Sequence, residues 1–325
     1  GDSVHPRLRR LLVPLLFDAN EDVAKAAIAG ARRLTEQDVI FLPILVSLLA
    51  HRRLKQAARV ALASYGPDGL PALGHFLRDP DEALWTRRHL PATIAQIPCQ
   101  ESVDLLVTVL DDADGFVRYK ALAALAELHR EWPDLHIDPK PFEKHAFDEA
   151  ARANRYWRAY GELFGGNTQP ETLLTIALRQ KVRRGVGRIY DLLELIYPWQ
   201  EIAAVRWTLG HGDAPERTAA VEYLDNLLNM GGRRRLMPLI EDVEFDRQSA
   251  LRAGTVESTL AGLLEDEDPI IVAVAAAEVA ARNVWVLTPL LEDLALRDDP
   301  GLGHASEAAA WALASRRSGS PGARP

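Results

Sequence analysis

Residues 102–128 read SVDLLVTVLDDADGFVRYKALAALAEL, and the fold is decided by how that stretch is parsed. It divides into two short amphipathic helices joined by an acidic turn. The first helix is expected to bury Val103, Leu106 and Leu110. The turn, 111–114, supplies carboxylates, and Asp114 stands where a side-chain oxygen accepts from the unpaired amides that open the next helix. The second helix places Val117, Ala121, Ala124 and Leu128 on one face, because spacings of i, i+4, i+7 and i+11 recur on one side of a 3.6-residue helix. A unit this small cannot bury its apolar stripe alone, so it must stack on copies of itself.

The copies are found on both sides. Towards the N-terminus, helices are expected at 5–16 and 23–34, at 41–49 and 54–65, and at 70–77 and 83–97. Gly66 and Pro67 form a helix stop. Asp79 reads as an N-cap, with Pro80 at the first helical position and Glu82 completing a capping box. The last leucines of the four first helices are Leu16, Leu49, Leu77 and Leu110, separated by 33, 28 and 33 residues. A period near 30 fits helical-repeat arrays. The ankyrin and tetratricopeptide signatures are absent, whereas the acidic turn followed by GFVRYKALAAL resembles a short HEAT-type repeat.

Towards the C-terminus, Pro133, Pro139 and Pro141 interrupt the rhythm. Two longer helices follow at 142–164 and 171–197 as a central hairpin. Short helices resume at 201–209, 215–228, 233–240, 256–264, 269–282, 286–296 and 302–314, and the acidic turn reappears at 265–268. No alternating strand pattern is present. The expected fold is all-α: a right-handed α-solenoid of short HEAT-like helical hairpins with a longer central helical hairpin. Its boundaries are an array at 1–130, a Pro-rich linker at 131–141, the hairpin at 142–198, a second array at 199–315 and a flexible tail at 316–325.

Composition narrows the class. Apolar residues make up 48% and charged residues 26% of the 325, which fits a folded water-soluble chain and excludes wholesale disorder. No apolar run has the length of a membrane helix, since Glu278, Arg282 and Asn283 break the nearest one, and no signal segment opens the chain. A single cysteine, Cys99, forms no internal disulfide and suggests a reducing compartment. The net charge of -8 resides in residues 201–325, which balance 12 basic against 20 acidic side chains, the wrong sign for strong nucleic-acid binding.

Little points to chemistry. His145 with Asp148 and Glu149 is the nearest approach to a metal cluster and lacks the ligand set zinc requires. No His-Glu dipeptide of the HEAT-type di-iron hydroxylases occurs, and no nucleophile elbow. Gly185 and Gly187 lack the lysine and hydroxyl residue of a phosphate loop and read instead as a place of close helix approach. No catalytic residue, metal or cofactor is therefore expected.

Cations are the more suggestive feature. Ten residues beyond the marker leucines lie Ala26, Arg59, Arg87 and Lys120, with Arg88 and Arg118 beside them. If second helices line a concave face, Arg59, Arg87, Arg88, Arg118 and Lys120 converge on an acidic partner; the blander reading makes them solvated positions beside acidic turns. Lys181, Arg184 and Arg188 share one face of the second long helix. They fit contact with an anionic surface or salt bridges to the acidic C-terminal third. Trp85, Trp157, Trp199 and Trp207 read as inter-repeat packing.

At residues 84–97 (LWTRRHLPATIAQI) the chain resembles the HEAT-like region attached to bacterial nucleotide carriers of the ATP/ADP-translocase type. The likeness continues at 182–198 (VRRGVGRIYDLLELIYP) and 219–228 (AAVEYLDNLL), spanning 70–245. The resemblance implies a cytosolic solenoid following a membrane carrier, with a regulatory or scaffolding role. The sequence contains no carrier helices, so no transport residue carries over. The reading that follows is a non-catalytic, monomeric scaffold for protein–protein interaction, either free or as the soluble portion of a carrier-like membrane protein. Its expected place is the cytoplasm, with the inner membrane face as one position the basic helix allows. The alternative is a HEAT-like enzyme of the lyase or DNA-glycosylase type, which requires a pocket with a carboxylate and an aromatic clamp.

Overall fold

A computed structural model describes residues 9–33, 39–165, 172–244, 254–297 and 303–318. Among the described residues there are helices and turns and no strand. The expected helix starts at His5, Glu171 and Leu302 and the tail beyond Ser318 lie outside the described residues. By Cα proximity the chain forms two compact units. The first comprises residues 1–145 and 190–204, the second residues 146–189 and 205–325.

In the first unit, α1 (Arg9–Leu15) pairs with α2 (Glu21–Arg32), α3 (Leu42–Ser47) with α4 (Lys55–Ala63), α5 (Leu70–Arg78) with α6 (Leu84–Ile94), and α7 (Gln100–Thr108) with α8 (Gly115–Glu131). The second helices pack in succession, α2 on α4, α4 on α6 and α6 on α8, and the first helices do likewise, α3 on α5 and α5 on α7. The marker leucines explain this order. Leu16, Leu49, Leu77 and Leu110 are all buried between the two layers, together with Leu73, Leu106, Val117, Ala121 and Leu125. Burying a leucine removes apolar surface worth about 1.5–3 kcal/mol per side chain, so repetition of that one residue supplies much of what a lone hairpin lacks. The Pro-rich stretch 131–141 lies within this unit and is tied to α7: Gln100 Nε2 donates to the His136 carbonyl (2.9 Å) and Gln100 Oε1 accepts from the His136 amide (3.0 Å).

The expected N-cap at Asp79 is corrected. α6 starts at Leu84, with Ala83 in the cap position and no side-chain cap. Asp79 instead closes a tight turn on the Asp81 amide (2.9 Å). Pro80 cannot donate to a helix ladder and biases the preceding residue towards extended backbone, so α6 starts seven residues after its marker Leu77, where α8 starts five after Leu110.

The long helices are α9 (Lys140–Phe164) and α10 (Leu173–Leu193), and α11 (Trp199–His211) follows. In the second unit α9 and α10 approach closely where Gly185 meets Ala153: a Cβ at Gly185 would stand 2.8 Å from the Ala153 Cβ. Gly187 has no such constraint, its nearest neighbour being the Arg206 guanidinium at 3.6 Å. Then come α12 (Ala214–Leu227), opened by an Asp213–Glu216 capping box, and α13 (Met230–Glu244). α14 (Val256–Leu264), α15 (Pro269–Ala281), α16 (Thr288–Leu296) and α17 (Gly303–Ser318) complete the unit. α14 packs on α15 and α16 on α17, while α15 stacks on α17 and α14 on α16, which repeats the two-layer order of the first unit. Leu260, Ile271, Ala275, Leu291, Ala305 and Ala309 form the core there, joined by Leu174 and Leu178 of α10.

Candidate functional site

The turn at 111–114 holds the first unit's second helices in place. Asp112 Oδ1 accepts from the Asp114 amide (2.9 Å), and Asp114 Oδ1 accepts from the Phe116 and Val117 amides (3.1 and 2.8 Å), satisfying two of the orphan donors that start α8. Two consecutive arginines of α6 then clasp this turn. Arg87 pairs with Asp112 and donates Nε to the Leu77 carbonyl (3.0 Å); Arg88 donates from Nε and Nη2 to the two carboxylate oxygens of Asp114 (3.2 and 2.7 Å). Arg118 Nη1 donates to the carbonyls of Asp112 (2.5 Å) and Ala113 (3.0 Å). Burial alone would raise the Asp114 pKa, but the Arg88 pair and the two amides overcome it and hold the carboxyl below its ordinary value.

Three cations expected at a partner surface thus bind the turn instead. Arg87 is only 8% exposed. The physical reason lies in where each second helix starts relative to its marker leucine, since Leu77 lies inside α5 and Leu110 beyond the end of α7. α8 begins five residues after Leu110, whereas α6 begins seven after Leu77. At about 100° of rotation per residue, a count from the leucine misplaces the α6 position by about 200° and swings Arg87 inward. Counted from the helix start, the counterpart of Lys120 is His89, each being the sixth residue.

That register defines a different cluster. His89 lies in electrostatic range of Lys55 and Arg59 on α4 and of Lys120 on α8; burial first, then these three cations, press its pKa below the usual histidine value. Arg59 is half-buried, touches only the Gln56 side chain (3.2 Å), and its Nε is buried with no hydrogen-bond partner. Burial lowers its pKa as well, opposed by Glu127. Among the described residues no carboxylate stands within ion-pair distance of Lys55, Arg59 or Lys120.

Aromatic rings interleave with these cations at the open ends of α6 and α8. Trp85 is 62% exposed, Phe116 43% and Tyr119 38%. The Arg88 guanidinium lies 5.5 Å from the Trp85 ring and 5.1 Å from Phe116, and the Lys120 ammonium lies 5.3 Å from Phe116 and 5.4 Å from Tyr119. His89 stacks on Trp85 at 6.5 Å. The packing role expected of the tryptophans holds for Trp157, which is buried, and fails for Trp85 and for the exposed Trp207, which stacks on His211 at 5.1 Å. Lys55, His89, Trp85, Phe116 and Tyr119 were outside the expected site. Counting each helix from its own first residue would have found His89.

In the second unit Lys181 pairs with Asp268 of the 265–268 turn, and Arg188 binds the buried Glu149 (2.9 Å), which also accepts from Arg152 (2.7 Å). Lys181 thus takes the salt bridge to the C-terminal third that the sequence offered, whereas Arg188 pairs within the long hairpin. Arg184 is exposed. Glu149 is therefore engaged by arginines, and among the described residues no three His, Cys, Asp or Glu side chains gather as a metal site. No described helix is long and apolar enough to cross a membrane. The chain matches no protein-family model and no curated protein, so the site is read from its geometry.

Proposed function

We propose that the chain is a non-catalytic α-solenoid scaffold of HEAT-like hairpins, coiled right-handedly, that binds a protein partner through the second helices of its first unit. The observation that supports this reading is the exposed strip of Trp85, Phe116 and Tyr119 beside the partly exposed cations Lys55, Arg59 and Lys120. Large aromatics next to unpaired cations suit an acidic segment with apolar side chains: the rings supply area desolvated on binding, and the cations supply sign and orientation. The successive packing of α2, α4, α6 and α8 provides the extended surface such a segment needs.

The test is capture of acidic, aromatic-bearing peptides by the full chain. Lys55→Glu with Lys120→Glu is expected to abolish capture while leaving the chain folded, because among the described residues neither side chain has an ion-pair partner to lose and Lys120 gives up only its contacts with Phe116 and Tyr119. Capture that persists in the double variant refutes the surface. Retention of duplex DNA at low salt, lost steeply as salt rises, would instead support the glycosylase-type alternative.

A further inference from the structure

Within the surface proposed above, we infer that Lys55, Arg59, His89 and Lys120 form a receptor for a phosphomonoester dianion carried on a polypeptide, so that the partner binds when a serine or threonine beside its apolar residues is phosphorylated. The inference rests on the scaffold reading and specifies its ligand.

Charge matching carries it. The carboxylates nearest this face are already committed, Asp112 to Arg87 and Asp114 to Arg88. What remains is Lys55, Arg59 and Lys120 against Glu127, with His89 in their midst. Two positive charges are left over while His89 is neutral. A carboxylate side chain neutralises one of them, whereas a phosphomonoester brings about −1.5 to −2 near neutral pH, with three acceptor oxygens. The donors suit it in kind. Arg59 offers a forked guanidinium, the lysines offer mobile ammonium groups, and the buried Arg59 Nε has no acceptor at present. Leaving that donor dry and unpaired is unfavourable, and an incoming oxyanion removes the cost.

His89 supplies an internal reporter. The groups that face it are Lys55 and Arg59 from α4 and Lys120 from α8, with Trp85 stacked on its own helix; α3, α5 and α7, which also pack on α6, contribute no charge to it. All three neighbours disfavour the imidazolium. A bound dianion reverses that balance, so ligand must raise the His89 pKa. A merely structural histidine would not move. The rings of Trp85, Phe116 and Tyr119 then hold whatever apolar side chain flanks the phosphate.

The experiment uses the full chain and short degenerate peptide libraries whose fixed central residue is phosphoserine, glutamate or serine, with inorganic phosphate and adenosine monophosphate as competitors. The phosphoserine library is expected to bind about tenfold or more tighter than the serine library, the range of a few charge-assisted hydrogen bonds. Lys120→Gln and Arg59→Gln should each erase that margin, Lys120→Gln being the variant whose half-exposed site threatens folding least. Proton NMR, with the His89 signal assigned through His89→Gln, should show its pKa rising when phosphopeptide is added. Equal binding of the phosphoserine and serine libraries, both sensitive to Trp85→Ala, overturns the phosphate receptor and leaves the scaffold standing. Binding of none of the libraries overturns both. Competition by inorganic phosphate or the nucleotide at concentrations equal to the phosphopeptide's dissociation constant overturns the polypeptide source and assigns the site to a small molecule.

Discussion

The turns at 111–114 and 265–268 share one backbone design and differ in what clasps it. In each, the second of two aspartates in a D-x-D step caps the following helix, and the first accepts from the amide of the second: 2.9 Å for Asp112 with Asp114, 2.9 Å for Asp266 with Asp268. Asp268 accepts from the Ile270 amide (2.9 Å) as Asp114 does from Phe116. The clasps then diverge. The first turn takes two arginines from one helix, α6, whereas the second takes the Tyr156 hydroxyl from α9 on Asp266 (2.9 Å) and Lys181 from α10 on Asp268. Burial raises the Asp266 pKa despite Tyr156, Arg155 and Lys181, while Asp114, with Arg88 and two helix amides on it, lies below its ordinary value. Asp266 is the first aspartate of its turn and Asp114 the capping second one, so the opposite directions reflect position in the turn together with the partner side chain.

The comparison breaks most visibly at the ion pairs. Arg87→Ala leaves Asp112 buried without its cation and should cost about 3–5 kcal/mol in a denaturant titration, whereas Lys181→Ala, at a pair about a quarter exposed on each side, should cost about 1 kcal/mol or less. Equal losses would show that the two clasps are not different in kind. Gly185→Ala tests the hairpin that carries Tyr156 and Lys181: the added methyl meets Ala153 and should cost about 1–3 kcal/mol, while Gly187→Ala should be neutral or stabilising by about 1 kcal/mol. Tyr156→Phe removes the phenol clasp on Asp266 and should lower unfolding free energy by about 1–2 kcal/mol, with an ultraviolet tyrosine titration of the parent showing one phenol ionising well above the usual range.

The smallest effect is the sharpest on sign. Asp114 has a folded pKa below its unfolded value, so its contribution is present above the unfolded pKa and fades as pH falls through the folded one. Asn caps as well as Asp, so Asp114→Asn should cost about 1 kcal/mol near neutrality through the lost charge on Arg88, and the gap from the parent should close in acid. Asp266 runs the other way. The native state holds its proton more tightly than the unfolded chain, so stability falls as pH rises from the unfolded towards the folded pKa. Asp266→Asn keeps the acceptor oxygen and removes that penalty, so near neutrality it should be neutral or stabilising. Parallel pH profiles for the two variants would refute the contrast.

The helices and the buried leucines were legible in the sequence because period and burial are local signals: Leu16, Leu49 and Leu77 lie fully buried where the repeat count put them, and Asp114 caps α8 as expected. Of the proposed surface, Arg59 and Lys120 were named from the sequence, whereas Arg87 and Arg88 pair with Asp112 and Asp114 of the next repeat, which the sequence did not show. Long-range pairing of that kind carries no periodic signature. Asp79 was misread for a related reason, since a proline that suits a helix start also suits a turn.

The unequal spacing from marker leucine to the next helix has a consequence of its own. Each helix docks by its own apolar stripe, so a residue gained or lost between helices lengthens the crossing without rotating the docked helix. Insertions there should be nearly silent for what the outward side chains grip, and drift in repeat length can accumulate while the grip is preserved.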